Sequence, residues 1–220
     1  MLGGVLIKVC GITRACDAEA CESVGGVDFC GFVFHPPSPR NMPPPDVARI
    51  RTGGGMRRVG VFTTHDTDEI LRTMDVARLD FAQLHANQSE ACAEKIGRER
   101  VIRVCFDFPQ GGGLCASFLL FDKPFDWRRL KSSDGFQPLQ CNNGILPLTA
   151  RQRLEAVATL GGWKPPLPYF IAGGVCAENV REVLSCGPAG IDLNSGVESA
   201  PGVKDVEKLN EVLREIKRRA

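Results

Sequence analysis

The sequence predicts a parallel (β/α)8 barrel, from eight short apolar segments and helical patterns between several of them. The apolar segments are almost continuous, as expected for parallel strands that are buried on both faces. They lie at residues 5–10, 27–34, 58–62, 81–85, 101–106, 117–122, 169–174 and 190–196. We expect one barrel domain over residues 1–220. A doubly wound open sheet is the alternative, weakened by the absence of a Gly-x-Gly-x-x-Gly motif after the first strand.

Helical patterns follow five of these strands, and most begin at a capping residue. Asp66 and Glu69 have the spacing of a capping box, in which two side chains bond the first turn reciprocally. The predicted helices begin at Asp17 (17–24), at Asp66, at Ser89 (89–96), near Val180 and at Asp205 (205–219).

Two connections depart from the regular alternation. Residues 107–116 are too short for a normal crossover, and Pro109 together with the three consecutive glycines 111–113 opposes a helix. We therefore predict that the fifth helix is missing or reduced. The next connection, 123–168, is unusually long and contains a predicted helix at about 149–160.

Composition narrows the functional class. The formal net charge is +1, which gives no reason to expect a nucleic-acid or membrane surface. With no signal-peptide pattern and no apolar run long enough to span a bilayer, we expect a soluble, cytoplasmic protein. The ten cysteines include no Cys-x-x-Cys pair and the chain has three histidines, so we expect no metal site. We expect the thiols outside the site to be packing groups, including Cys16, Cys21, Cys30, Cys92 and Cys105.

Reactive side chains recur where the predicted strands end, which in a (β/α)8 barrel is the catalytic rim. Glycine turns after the last two strands would allow backbone N–H groups to approach a phosphate. The candidate residues are Cys10 at the end of the first strand, Arg40 after the second, His85 at the end of the fourth, Asp122 at the end of the sixth, Gly173 and Gly174 at the end of the seventh, and Asn194, Ser195 and Gly196 at the end of the eighth.

Several motifs in this sequence resemble those of the phosphoribosylanthranilate isomerase family. They are "KVCGIT" (8–13), "GFVFHPPSPR" (31–40), "RVGVF" (58–62), "QLH" (83–85), "FDW" (125–127), "IAGGVCAENV" (171–180) and "IDLNSGVESAPGVKD" (191–205). The resemblance implies an Amadori rearrangement of a phosphorylated anthranilate in tryptophan biosynthesis. It implies Cys10 as general base, Asp122 as general acid, Arg40 as the partner of the anthranilate carboxylate, and the two glycine turns as phosphate loops. The implied reaction requires no metal or organic cofactor. Association or fusion of this chain with other enzymes of the pathway stays open.

The roles assigned to Asp122 and His85 have alternatives. Asp126 is a rival acid, although in "FDW" it also suits a helix N-cap. His85 is equally compatible with a structural role and with substrate contact. Only three residues separate Asp122 from Asp126, where family members usually carry a glycine-rich loop, and Ala86 stands where they carry glycine. A barrel that binds a phosphorylated ligand without turnover is therefore an alternative. Another is a different phosphosugar enzyme related to indole-glycerol-phosphate synthase, which would need a strand-end lysine that Lys8 and Lys123 do not supply.

Overall fold

The computed structural model describes residues 1–53, 55–107, 109, 114–123 and 165–218. Eight parallel strands close into a barrel in sequence order, so that the last strand pairs with the first. The strands are β1 (Leu6–Val9), β2 (Phe29–Phe34), β3 (Arg57–Phe62), β4 (Phe81–Leu84), β5 (Val101–Cys105), β6 (Phe118–Phe121), β7 (Tyr169–Ile171) and β8 (Gly190–Leu193). The predicted barrel is confirmed.

The last two strands end earlier than predicted. β7 stops before Gly173 and Gly174, whose φ angles of +90° and +80° cannot continue a strand. After β8 the chain forms a 3-10 turn at Ser195–Val197. A two-stranded hairpin follows, made of β9 (Glu198–Ala200) and β10 (Val203–Lys204). The residues predicted at two strand ends therefore lie in turns above the barrel.

The helices within the described residues pack outside the barrel. They are α1 (Ala15–Val24), α2 (Pro44–Arg49), α3 (Thr67–Val76), α4 (Glu90–Ile96), α5 (Val180–Leu184) and α6 (Val206–Lys217). Asp66, Ser89 and Asp205 are N-caps, as predicted. The Asp66–Glu69 capping box is only half formed, because the Glu69 carboxylate accepts from the Thr64 hydroxyl instead. α1 begins two residues before Asp17, a buried residue that pairs with Arg14.

The two unusual connections are described only in part. No helix is present in the described residues between β5 and β6, which are 106, 107, 109 and 114–117. The rest of that connection lies outside the described residues, so the reduced fifth helix stays a prediction. The enlarged connection, its predicted helix at 149–160 and the rival acid Asp126 also lie outside the described residues.

The barrel interior is closed at its amino-terminal end by aromatic side chains. Phe29 meets Phe81, Phe118 and Phe170 edge to face, with ring centroids 5.6, 6.4 and 5.7 Å apart. Such contacts bury large apolar areas at the bottom of the barrel. Because side chains alternate along a strand, the residues two and four positions after each of these aromatic residues also point into the barrel interior, nearer the catalytic rim.

The cysteines in the described part of the chain are free thiols. Cys21, Cys30, Cys92 and Cys105 are buried, which agrees with a packing role. The same expectation is wrong for Cys16, which is exposed because it lies in the first turn of α1 on the side that faces solvent.

Candidate active site

A cavity of about 260 Å³ opens at the carboxyl-terminal end of the barrel. Its lining brings together most of the residues singled out from the sequence. The lining residues are Cys10, Val33, His35, Ser38, Arg40, Val61, Thr63, Gln83, His85, Asp122, Ala172, Gly173, Gly174, Asp192, Asn194 and Ser195. Of the candidates, only Gly196 is not in this lining: a Cβ there would lie 2.0 Å from the carbonyl oxygen of Val175, so this glycine allows close backbone packing beside the rim.

Cys10 lies directly after β1, where its N–H donates to the carbonyl of Leu193 at 2.8 Å. The residue is only 4% exposed. Burial raises the pKa of the Cys10 thiol, and the charge of Lys8 opposes that rise. Gly31 on the neighbouring strand provides the space for the sulfur, because a Cβ at this position would lie 2.8 Å from Cys10 Sγ.

A buried ion pair lies beneath Cys10. Lys8, two residues earlier on β1, is completely buried and donates to Asp192 Oδ2 at 2.8 Å. Asp192 is the residue paired with Lys8 in the β1–β8 register. Its other oxygen, Oδ1, is buried without a hydrogen-bond partner among the described residues. Burial disfavours the charged amine, but Asp192 and Cys10 together raise the pKa of Lys8, so it is an ammonium at neutral pH.

Asp122 lies opposite an imidazole at the end of β6. Its Oδ1 accepts from the N–H of Lys123 at 2.8 Å, and its Oδ2 is 3.9 Å from His85 Nε2. Burial lowers the pKa of His85, although the Asp122 carboxylate opposes this. Gln83 Nε2 lies 3.3 Å from His85 Nδ1. An amide N–H that donates to Nδ1 leaves the ring proton on Nε2, towards Asp122.

Arg40 is fixed by the hairpin that follows β8. Its Nε and Nη2 donate to the two carboxylate oxygens of Glu198, at 2.9 and 2.6 Å. Glu198 also accepts from Lys204 Nζ at 2.8 Å and from the N–H of Gly202 at 3.1 Å. This two-point pair fixes the guanidinium plane above Cys10, with Nη1 not engaged by any hydrogen bond within the described residues.

The turn after β7 presents backbone N–H groups to the cavity. Within the described residues, the N–H groups of Gly173 and Gly174 donate no hydrogen bond. The ammonium of Lys123 lies above them, 3.1 Å from the position that a Cβ on Gly174 would occupy. Asn194 and Ser195 line the other side, and Asn194 Oδ1 accepts from Lys204 Nζ at 3.1 Å. Unsatisfied N–H groups beside an ammonium are suited to an anion.

The described part of the chain contains no group of three or more histidine, cysteine or acidic residues that could hold a metal ion. In the same part, no helix is long and apolar enough to cross a membrane.

Sequence reasoning missed the supporting charges of the site. Lys8 lies inside the first predicted strand, and its spacing of two residues from Cys10 puts both side chains on one face of that strand. Asp192 likewise lies two residues before the candidate Asn194, so the alternation along the strand places it on the same face. Glu198 and Lys204 gave no such signal, because only the closure of β8 onto β1 brings their hairpin to Arg40.

Comparison with known proteins agrees with this geometry. The family model described as N-(5′-phosphoribosyl)anthranilate (PRA) isomerase matches residues 7–123 and 154–215. The N-(5′-phosphoribosyl)anthranilate isomerase of Desulfovibrio desulfuricans is 42% identical over 206 residues, covering 93% of this chain and 92% of that protein.

Two solved structures are similar over the whole barrel. The phosphoribosyl anthranilate isomerase of Thermus thermophilus has a TM-score of 0.72 at 33% identity, with 98% of this chain and 100% of that chain covered. A second phosphoribosyl anthranilate isomerase, in complex with reduced 1-(o-carboxyphenylamino)-1-deoxyribulose 5-phosphate, has a TM-score of 0.70 at 27% identity, covering 97% of this chain and 99% of that one. The chain therefore belongs to the N-(5′-phosphoribosyl)anthranilate isomerase family.

Proposed function

We propose that this chain catalyses the Amadori rearrangement of N-(5′-phosphoribosyl)anthranilate to 1-(2-carboxyphenylamino)-1-deoxyribulose 5-phosphate, with Cys10 as general base and Asp122 as general acid. The observation that carries the proposal is the shared cavity, in which a thiol and a carboxyl group line one mouth together with Arg40 and two glycine-containing turns. Acid–base isomerisation requires two proton-transfer groups around one substrate.

The first step opens the ribose ring. Asp122, in its protonated form, gives its proton to the ring oxygen while the anilino nitrogen donates its electron pair towards C1′, and the C1′–O bond breaks. His85 supports this step, because its Nε2–H faces the carboxylate that remains and can stabilise the negative charge. The product of the step is an open-chain iminium ion.

The second step removes the proton from C2′, which the iminium has made acidic. Cys10, as a thiolate, takes this proton, and the electron pair of the C2′–H bond forms the C1′–C2′ double bond of an enol-amine. Tautomerisation of the enol-amine then gives the ketone at C2′. A thiolate is a suitable base because its charge can be stabilised by a neighbouring cation.

Binding is divided between the two sides of the mouth. We assign the carboxylate of the anthranilate ring to Arg40, whose Nη1 group remains available, because a planar guanidinium favours a carboxylate. We assign the phosphate to the N–H groups of Gly173 and Gly174, to the turn at Asn194, Ser195 and Gly196, and to the ammonium of Lys123. This arrangement needs no cofactor.

The test is turnover by the purified chain, together with complementation of a tryptophan auxotroph that lacks the isomerase. We expect Cys10→Ser and Asp122→Asn each to lose at least about 10²-fold in kcat, since each removes one proton-transfer group. Cys16→Ser and Asp75→Asn alter an exposed thiol and an exposed carboxylate, and serve as matched controls.

The possible outcomes separate the alternatives. Wild-type rates in both site variants would remove the assigned roles. A wild-type chain that binds a product analogue but shows no turnover would support the non-catalytic binder instead.

A further inference from the structure

The most buried charged side chain in the described residues lies next to the proposed base. Lys8 has no solvent exposure, and Cys10 follows it by two residues on β1, so both side chains point to the barrel axis. A buried ammonium is costly, and a barrel interior is normally filled with apolar side chains. Its presence at this position therefore calls for an explanation beyond packing.

The ammonium and the sulfur border the same small space. A Cβ placed on Gly31 would lie 2.8 Å from Cys10 Sγ and 3.2 Å from Lys8 Nζ, so the two atoms face each other over the missing side chain of Gly31. Asp192 holds the ammonium from the other side at 2.8 Å. Lys8 is thus positioned by Asp192 and directed at Cys10.

We propose that Lys8 is a positioning residue of the isomerisation: its ammonium, held by Asp192 beneath Cys10, stabilises the thiolate that removes the C2′ proton. This inference rests on the proposed function for its catalytic consequence, but the electrostatic coupling of Lys8 to Cys10 can be measured without turnover.

Four charged groups face the sulfur. Lys8 from β1 and Lys204 from β10 favour the thiolate, as does Arg40 from the loop after β2, whereas Asp192 from β8 opposes it. Burial alone would raise the pKa of Cys10, and the effect of Lys8 against this rise is larger than that of Asp192 in favour of it. Removing Lys8 should therefore raise the thiol pKa further, and removing Asp192 should lower it.

The thiol pKa is measured by the pH dependence of iodoacetamide labelling. Trypsin cleaves after Lys8 and Arg14, so the peptide 9–14 reports Cys10 with no other thiol. In Lys8→Met the corresponding peptide is 1–14, which again contains only Cys10. The pH at the labelling midpoint should rise by about one pH unit or more in Lys8→Met and fall in Asp192→Asn.

Catalysis should follow the same shift. In Lys8→Met the acidic limb of the pH profile of kcat/KM should move to higher pH, with kcat at neutral pH reduced about tenfold or more and KM changed little. Because Lys8→Met leaves a buried carboxylate without its partner, the variant can fail to fold. The double variant Lys8→Met/Asp192→Asn removes both charges, and its labelling midpoint should still lie above that of the wild type.

The outcomes are distinguishable. Labelling midpoints of folded Lys8→Met or of the double variant that equal the wild-type value would overturn the role of Lys8. Labelling midpoints that move in the same direction in Lys8→Met and Asp192→Asn would overturn it as well. Removing a cation and removing an anion should move the thiol pKa in opposite directions, whereas general structural damage has no such dependence on charge. If the labelling shifts occur but Cys10→Ser retains full activity, the proposed function of Cys10 fails while the coupling stands.

Discussion

The guanidinium of Arg40 is held at two points by the carboxylate of Glu198, through contacts of 2.9 and 2.6 Å between residues 158 positions apart in the chain. The pair joins the loop after β2 to the hairpin after β8, across the point where the barrel closes. Glu198 is itself held by Lys204 and by the N–H of Gly202. Arg40, which we propose as the partner of the substrate carboxylate, is therefore oriented by residues from the far end of the sequence.

Substituting Glu198→Gln should weaken substrate binding more than it slows chemistry. The amide can accept at one oxygen only, so Arg40 loses the second contact that fixes its plane. We expect KM to rise about tenfold, with kcat reduced by less than about threefold. Steady-state kinetics on the folded variant measures the split. The matched control is Asp46→Asn, which weakens the exposed ion pair between Asp46 and Arg49 on α2. A fall in kcat with unchanged KM would contradict this role.

Acid should remove the stabilisation that Glu198 provides. Burial alone would raise the pKa of Glu198, but Arg40, Lys204 and the N–H of Gly202 together lower it, to about 2. A glutamate in the unfolded chain titrates at about pH 4.3, so between these two pH values the unfolded state binds more protons and stability falls as the pH falls. The contribution is complete above about pH 4.3 and is lost towards about pH 2.

Urea unfolding at pH 5 and pH 3 tests this dependence. Glu198→Gln should be less stable than the wild type at pH 5, and the difference in the free energy of unfolding should become smaller at pH 3. A difference that stays constant over this interval would mean that the lowered pKa of Glu198 does not contribute to folding.

Gly31→Ala should damage the site more than it damages the fold. The added Cβ would lie 2.8 Å from Cys10 Sγ and 3.0 Å from Cys10 Cα, so the sulfur must leave its position above Lys8. We expect a loss of about 1–3 kcal/mol in stability from overpacking and a fall in kcat of at least about tenfold. Thermal unfolding and steady-state kinetics are the two measurements.

Gly25→Ala is the comparison for Gly31→Ala. Gly25 has a φ of +67° with a ψ of 155° and open space around the position of a Cβ, so alanine there costs about 1–3 kcal/mol of backbone strain away from the cavity. It should lower stability and leave kcat unchanged. Equal loss of kcat in both variants would show that the effect of Gly31→Ala is general destabilisation.

Much of the fold could be predicted because parallel barrel strands are buried on both faces and appear as separate apolar runs. The rim residues could then be placed by strand order alone, as Cys10, Arg40, His85 and Asp122 show. The charged support could not be placed in this way. Lys8 interrupts an apolar run and has no visible partner until β8 pairs with β1, and Glu198 and Lys204 lie in a polar hairpin that resembles any solvated turn.

The phosphate assignment predicts a role for Lys123 that its position outside β6 did not suggest. Its ammonium lies above the Gly173–Gly174 turn, 3.1 Å from the place of a Cβ on Gly174. Lys123→Met should raise KM and weaken inhibition by inorganic phosphate by about fivefold each, the size expected of an exposed charge contact, with kcat nearly unchanged. The difference from the wild type should shrink with added salt, because the contact is screened. Lys95→Met, which removes an exposed lysine paired with Asp68 on the outer helices, should change neither constant. Phosphate inhibition that is equal in Lys123→Met and the wild type would place the anion away from this turn.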